Sequence, residues 1–278
     1  MPALAPWVDW TYGEPSSLRL GRESVASQRG VQQGDPLGPL LFSLALHRAV
    51  ARIKMRMPTE CHVALDFAVF YLDDGIVAGP AEAVAWFLRE LQGELAAMGL
   101  SLNPEKCKVT PSAGIQSNVE HSAFPGWKWG FSRNVKVLGA AVGDQEFCEG
   151  LVRERRGKAS PVLQGIAELD NSQFGFSLLW SFASFAKLAY NIRTTPSDAM
   201  AGELEAFDME TRGAFVTMTQ LNPGDDVWTR AQWSSAVGGL SLRSLAQHVD
   251  AALVSSTVRT AALQCAIYPG LSQASVLT

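Results

Sequence analysis

The chain has 278 residues, 47% of them hydrophobic and 18% charged, with a formal net charge of −4 and a pI near 5.6. That length allows one large domain or two modest ones with real cores, and the composition excludes wholesale disorder. The acidic balance excludes a protein that holds nucleic acid by bulk positive charge, while leaving room for a local basic groove.

In chain order, Ser17 to Leu20 reads as a short strand and Gly30 to Asp35 as a polar, glycine-bearing loop. Asp35 is suited to cap a helix that starts at Pro36. Leu37, Leu40, Leu41 and Leu44 then recur at spacings of three and four, one apolar helix face. His62 to Leu72, rich in Val, Ala, Phe and Tyr, reads as a strand. Asp73-Asp74-Gly75 signals a tight turn into a second strand at Ile76 to Ala78, giving a β-hairpin with two carboxylates at its tip. Pro80 opens a helix striped by Val84, Phe87, Leu88, Leu91, Leu95 and Met98 and stopped at Gly99. Short strands at Leu100 to Leu102 and Lys106 to Val109 flank the turn at Asn103-Pro104, and another runs from Val135 to Leu138, ending at Gly139.

Beyond residue 145 nearly everything reads as helix. Phe174 to Tyr190 is apolar almost all round and predicts a buried helix. Thr195-Pro196 supplies a cap and first position for a helix toward Met218. Gly238-Gly239 breaks the chain before a helix in which Leu245, Val249, Ala252 and Leu253 share a face. The fold class expected is α+β: an antiparallel sheet with packed helices over 1–144, then a helical region over 145–278. Cys61, Cys107, Cys148 and Cys265 have no CxxC spacing and read as reduced thiols of an intracellular protein, cytoplasmic or nuclear. No secretory signal opens the chain. Its longest apolar stretch falls short of the roughly 18 residues of a membrane span, so no membrane partner is expected.

Two segments carry chemistry. Phe70-Tyr71-Leu72-Asp73-Asp74-Gly75 sets two acids side by side, an arrangement that repels itself unless solvated or neutralised. A hard divalent cation is one solution and a solvated hairpin tip is the plain alternative. Gly30-Val31-Gln32-Gln33-Gly34-Asp35-Pro36-Leu37-Gly38 leads a glycine-bearing loop into a helix N-terminus, which suits close approach by a nucleotide; alone it reads equally as a capped helix.

Together these segments are more specific. The Gly-Val-Gln-Gln-Gly-Asp-Pro block resembles motif B of reverse transcriptases, and the Tyr-Leu-Asp-Asp turn resembles their metal-binding motif C. Gly99 to Lys106 resembles motif D, and Val135 to Gly143 resembles the primer-grip hairpin. The flavour is closest to non-LTR retrotransposon enzymes, and the helical remainder resembles their thumb, notably Trp233 followed by Gly238-Gly239-Leu240-Ser241-Leu242-Arg243-Ser244. The resemblance implies a partial polymerase palm followed by a thumb, acting on an RNA template, a DNA primer and dNTPs with Mg²⁺, or Mn²⁺ in its place. Asp73 would be a direct metal ligand and Asp74 a weaker or outer-shell one. Gln33 and Gly34, with Asp35 and Pro36, would shape the nucleotide and template pocket. Lys106 would assist the pyrophosphate leaving group, with Lys108 as a substitute, and Val137, Leu138 and Gly139 would hold the primer end. Gly38 stands where many members have serine.

The family also uses motif A, a strand bearing another metal-binding Asp ahead of motif B. Asp9, Glu14 and Glu23, the acids before Gly30, follow no apolar strand of that kind. Asp66 lies seven residues before Asp73 on the same strand, on the order of 20 Å away at roughly 3.3 Å per residue, too far to substitute. The expectation is therefore a chain lacking an N-terminal portion and inactive alone. The alternatives are a non-catalytic nucleic-acid-binding or scaffolding remnant, and a fragment of a longer protein. Arg153, Arg155, Arg156 and Lys158 form one basic cluster that could meet a template backbone, or simply be a solvated helix face. Trp7, Trp10, Trp127 and Trp129 could stack bases, but packing is their expected role.

Overall fold

The computed structural model describes residues 2–110, 124, 127–129 and 134–277. The architecture is α+β, as expected, in two compact units, Met1–Leu102 and Asn103–Thr278. Its described strands form four separate two-stranded ladders, three antiparallel and one parallel.

In the first unit, helix α1 (Ala5–Tyr12) precedes a hairpin of β1 (Ser16–Leu20) and β2 (Glu23–Ser27). A loop leads into α2 (Gly38–Glu60), followed by the hairpin β3 (Phe67–Tyr71) and β4 (Asp74–Ala78) and by α3 (Ala81–Ala97). The core joins α2 to α3 through Leu46, Val50, Ile53 and Met57 on one side and Trp86, Phe87, Leu91 and Leu95 on the other. Burying each such large side chain contributes about 1.5–3 kcal/mol. The hairpin covers this core with Ala68, Phe70 and Val77. Arg52 and Arg56 of α2 pair with Glu94 and Glu90 of α3 along the rim. Gly99 ends α3 as expected, with φ +76 and Leu100 N–H returning to Leu95 O at 2.9 Å.

The second unit holds β5 (Lys108–Val109) paired with β6 (Lys128–Trp129), and β7 (Val135–Val137) paired with β8 (Ala140–Val142). Helices α4 (Gln145–Ala167), α5 (Ser172–Leu178), α6 (Phe185–Leu188), α7 (Asn191–Thr194), α8 (Ala201–Thr219), α9 (Asp225–Gln232), α10 (Leu245–Ile267) and α11 (Gln273–Leu277) follow. Their core gathers Val152 and Leu163 of α4, Leu204 and Phe207 of α8, and Leu245 and Val249 of α10. Ser244 caps α10, and the half-buried Asp208 carboxylate of α8 accepts from Ser244 Oγ and from the Leu245 and Ala246 N–H groups.

Several expectations shift. The α2 residues Leu37, Leu40 and Leu41 are half-buried and Leu44 is exposed; the deep stripe starts one turn later, at Leu46. The helix begins at Gly38, because Asp35-Pro36-Leu37 closes a turn first, with Gly38 N–H bonding Asp35 O. Leu100 to Leu102 is not a strand. Phe174 to Tyr190 is not one buried helix: it runs as α5, a π-helical turn over Leu179–Ala183, a break at Ser184, then α6. Only one side of it meets the bundle. Leu179, Ala183 and Leu188 are buried while Phe174, Trp180 and Phe182 are 70%, 52% and 53% exposed. Thr195-Pro196 precedes a short 3-10 turn, Ser197–Ala199, and α8 starts only at Ala201. No helix among the described residues is long and apolar enough to cross a membrane.

Candidate active site

The β3–β4 register pairs Tyr71 with Asp74, leaving Leu72 and Asp73 as the two loop residues. The turn thus sits one residue earlier than Asp73-Asp74-Gly75. Leu72 holds φ +56, in the left-handed region where glycine or asparagine is the usual occupant of a two-residue hairpin. Its side chain lines a cleft of about 360 Å³ between α2 and β3, with Leu46, Val50, Ala68 and Phe70. That burial offsets a backbone cost of about 1–2 kcal/mol. Gly75 has no such φ. It is glycine because Phe70 lies across it: a Cβ there would sit 2.6 Å from Phe70 Cδ1.

Asp73 and Asp74 are exposed at this tip, and their carboxylates make no hydrogen bond or ion pair among the described residues. Two free carboxylates suit a hard cation such as Mg²⁺ in kind. They fall short in number, because among the described residues no three His, Cys, Asp or Glu side chains gather as a metal site. Asp66 sits at the opposite end of the hairpin, where its N–H bonds Ala78 O at 2.9 Å.

The 30–36 loop is organised by two left-handed glycines, Gly30 (φ +77) and Gly34 (φ +91). Gln33 is exposed on it and Pro36 lies at its exit into α2. Asp35 turns inward: its carboxylate accepts from the Tyr12 hydroxyl and from Leu37 N–H at 2.8 Å. The Tyr12 hydrogen bond, and then that of Leu37, holds Asp35 below the usual carboxylate range, and the same contact raises Tyr12. Gln32 N–H also reaches Tyr12 Oη at 3.3 Å, and Gln32 Nε2 donates to Ser16 Oγ at 3.0 Å. Asp35 therefore shapes the loop, and Tyr12, some 23 positions away in sequence, is a site-supporting residue with no local signal.

In the second unit Lys106 is exposed in the turn after Asn103-Pro104, where its backbone N–H bonds Asn103 O at 3.1 Å, and its ammonium makes no hydrogen bond or ion pair among the described residues. Lys108 Nζ is instead committed to Asn134 O at 2.7 Å. Val137 ends β7, and Leu138 and Gly139 form the two-residue turn into β8, at φ +47 and +85. Tyr190 and Arg155 hold that turn through its carbonyls.

The basic cluster is neither a free nor a merely solvated face. Arg153 pairs with Glu149 and with Glu203 (2.7 Å), Arg156 with Glu203 (2.8 Å) and Glu210 (3.2 Å), and Lys158 with Glu154. The arginines knit α4 to α8. Trp7 and Trp10 are exposed, edge to face at 5.9 Å, rather than packed in a core. The Trp129 side chain lies outside the described residues.

A family model for reverse transcriptase (RNA-dependent DNA polymerase) matches residues 4–142, which includes the 30–36 loop, the Asp73-Asp74 hairpin, Lys106 and the 137–139 turn. The chain belongs to that family. Among its relatives, the Pol polyprotein from the type-2 retrotransposable element R2DM of Drosophila melanogaster is 31% identical over 86 residues, 31% of this chain and 8% of that protein. The retrotransposable element SLACS 132 kDa protein of Trypanosoma brucei gambiense is 34% identical over 106 residues, 37% of this chain and 8% of that protein. The Pol polyprotein from the type-1 retrotransposable element R2 of Popillia japonica is 31% identical over 123 residues, 40% of this chain and 19% of that protein. These similarities bear out the non-LTR retrotransposon branch, and they span at most about a fifth of the relatives' length.

Proposed function

We propose that the chain supplies the palm and thumb of an RNA-directed DNA polymerase, binding an RNA template, a DNA primer and a dNTP. The observation that carries this reading is the pair of unpaired carboxylates, Asp73 and Asp74, at the tip of a two-residue hairpin inside the family match. A divalent cation held there would supply activation of the primer 3′-hydroxyl and stabilisation of the leaving pyrophosphate. Asp73, in the loop, is the direct ligand; Asp74, on the strand, is the outer one. Gln33 and Gly34 contact the incoming nucleotide and template base from a loop that Asp35 and Tyr12 keep in shape. Lys106, whose ammonium has no partner among the described residues, assists departure of the pyrophosphate. Val137, Leu138 and Gly139 hold the primer end.

Two carboxylates are fewer than the reaction requires. Positioning and charge neutralisation supply most of the rate in phosphoryl transfer, so these 278 residues alone should bind substrates and not extend them. The test is primer extension on an RNA template with Mg²⁺, run beside binding of the same duplex. Expected is Mg²⁺-dependent binding, weakened by Asp73→Asn, without extension. Extension that Asp73→Asn abolishes would overturn the inactivity and keep the polymerase reading. Absence of Mg²⁺-dependent binding would overturn the polymerase reading itself.

A further inference from the structure

The 138–139 turn carries more structure than a hairpin needs. The Tyr190 hydroxyl donates to Leu138 O at 2.9 Å, and Arg155 Nη2 donates to Gly139 O at 2.5 Å. The same guanidinium gives Nη1 to Asn191 Oδ1 at 2.5 Å and lies 5.6 Å from the centre of the Tyr190 ring. Asn191 is fully buried, so the assembly is anchored in the helical core. Both turn residues lie in the left-handed region. Gly139 answers to Arg155 as well as to its φ, since a Cβ there would come 2.9 Å from Arg155 Nη2. Leu138 differs from Leu72: its side chain is 48% exposed, so little packing offsets its backbone conformation. The side chains of Arg155 and Tyr190 hold that conformation instead. They also bind both carbonyl oxygens of the turn, groups that would repel a phosphate, and leave an apolar side chain facing outward.

We infer that Arg155 and Tyr190 are positioning residues that latch the 138–139 turn, so that Leu138 presents an apolar contact to the 3′-terminal nucleotide of a primer. This deepens the polymerase reading and rests on it. Neither residue touches the primer. Each acts through the backbone of the turn, which a strained leucine would otherwise leave in several conformations.

The test uses the full chain and two labelled RNA–DNA hybrids, one with a recessed DNA 3′ end and one blunt, with affinities read by fluorescence anisotropy in Mg²⁺. Wild type is expected to prefer the recessed end. Arg155→Met should cut that preference about tenfold, equivalent to about 1.4 kcal/mol, with blunt-end affinity unchanged. Leu138→Ala should cut it equally, and the two together no further, because they act on one contact. Arg155→Lys, able to reach one of two acceptors, should keep part of the preference. Tyr190→Phe, which removes one hydroxyl and no packing, gives a second route should Arg155→Met fail to fold. A preference kept in Arg155→Met and Tyr190→Phe overturns the latch alone, as does an equal loss for both hybrids that follows a lowered melting temperature. A wild-type chain with no preference for the recessed end overturns the polymerase reading and the latch with it.

Discussion

Replacing Gly75 by alanine isolates the packing that supports the Asp73-Asp74 tip. The new Cβ would lie 2.6 Å from Phe70 Cδ1, well inside contact distance, and Phe70 is packed against the α2–α3 core. The ring must shift within a cleft already shared with Leu46, Val50 and Leu72. Overpacking of this kind costs about 1–3 kcal/mol, and alanine recovers about 0.5–1 kcal/mol of unfolded-chain entropy, leaving about 0–2.5 kcal/mol of destabilisation with a midpoint of about 1.3 kcal/mol. Local opening of residues 67–78 should then rise about tenfold, read as faster amide hydrogen exchange by mass spectrometry, while α8 in the other unit exchanges as before. In a Phe70→Leu background, which removes the clashing ring edge, Gly75→Ala should change exchange by less than about twofold. Unchanged exchange for Gly75→Ala with Phe70 in place would refute the steric account of this glycine.

Three further outcomes follow from the charges. Glu203 is buried between Arg153 and Arg156, so Glu203→Ala leaves Arg153 only Glu149 and Arg156 only Glu210 and unties both from the start of α8; it should cost about 2 kcal/mol, a fall of about 4–8 °C in melting temperature by calorimetry. Asp144 is held below its ordinary value of 3.8 by hydrogen bonds, first from Asn134 and then from Phe147 N–H at the α4 cap. Its contribution is therefore full above that value and lost as pH falls through its lower folded pKa. The stability gap between wild type and Asp144→Ala in urea melts should be constant from pH 7 to 5 and close in the acid range below. Arg29, Lys106 and Lys136, in or beside the 30–36 loop, the Lys106 turn and the 135–142 hairpin, are cations whose charged groups make neither an ion pair nor a hydrogen bond among the described residues. Three phosphate contacts give a slope of about −3 for log affinity of an RNA–DNA hybrid against log salt; a slope of −6 or steeper would show that other cations bind it.

The elements with strong local codes were legible. Gly99 stops α3, Gly238 at φ +88 breaks the chain before α10, and the alternation after Phe67 makes the hairpin. The register of that hairpin was not. Asp-Gly is the usual local signal for such a turn, but here the cross-strand fit of Phe70 over Gly75 places glycine on the strand and leucine in the turn. The apolar run from Phe174 was misleading for a related reason. Periodicity cannot show that only one side of a helix meets a partner, and the π-helical turn at Leu179–Ala183 and the break at Ser184 depend on packing outside the segment.

At the site, the residues expected to face substrate stand out in sequence because each is locally exposed: Asp73, Asp74, Gln33 and Lys106. The residues that hold their surroundings are invisible there, because their partners are distant. Tyr12 is linked to Asp35 across 23 positions, Arg155 to Asn191 across 36 and Tyr190 to Leu138 across 52. The cluster around Arg153 shows the same limit in reverse. Read alone it is four positive charges in six residues, but carboxylates on α4 and α8 take up Arg153, Arg156 and Lys158, and Arg155 is spent on the 138–139 turn. Cations so engaged cannot bind phosphate without giving up contacts inside the fold. On the polymerase reading proposed above, an acidic chain with its densest basic run already committed would draw its affinity for a duplex from scattered single cations, apolar contacts such as Leu138, and a cation held at Asp73. That reading would place discrimination at the primer end rather than along the backbone.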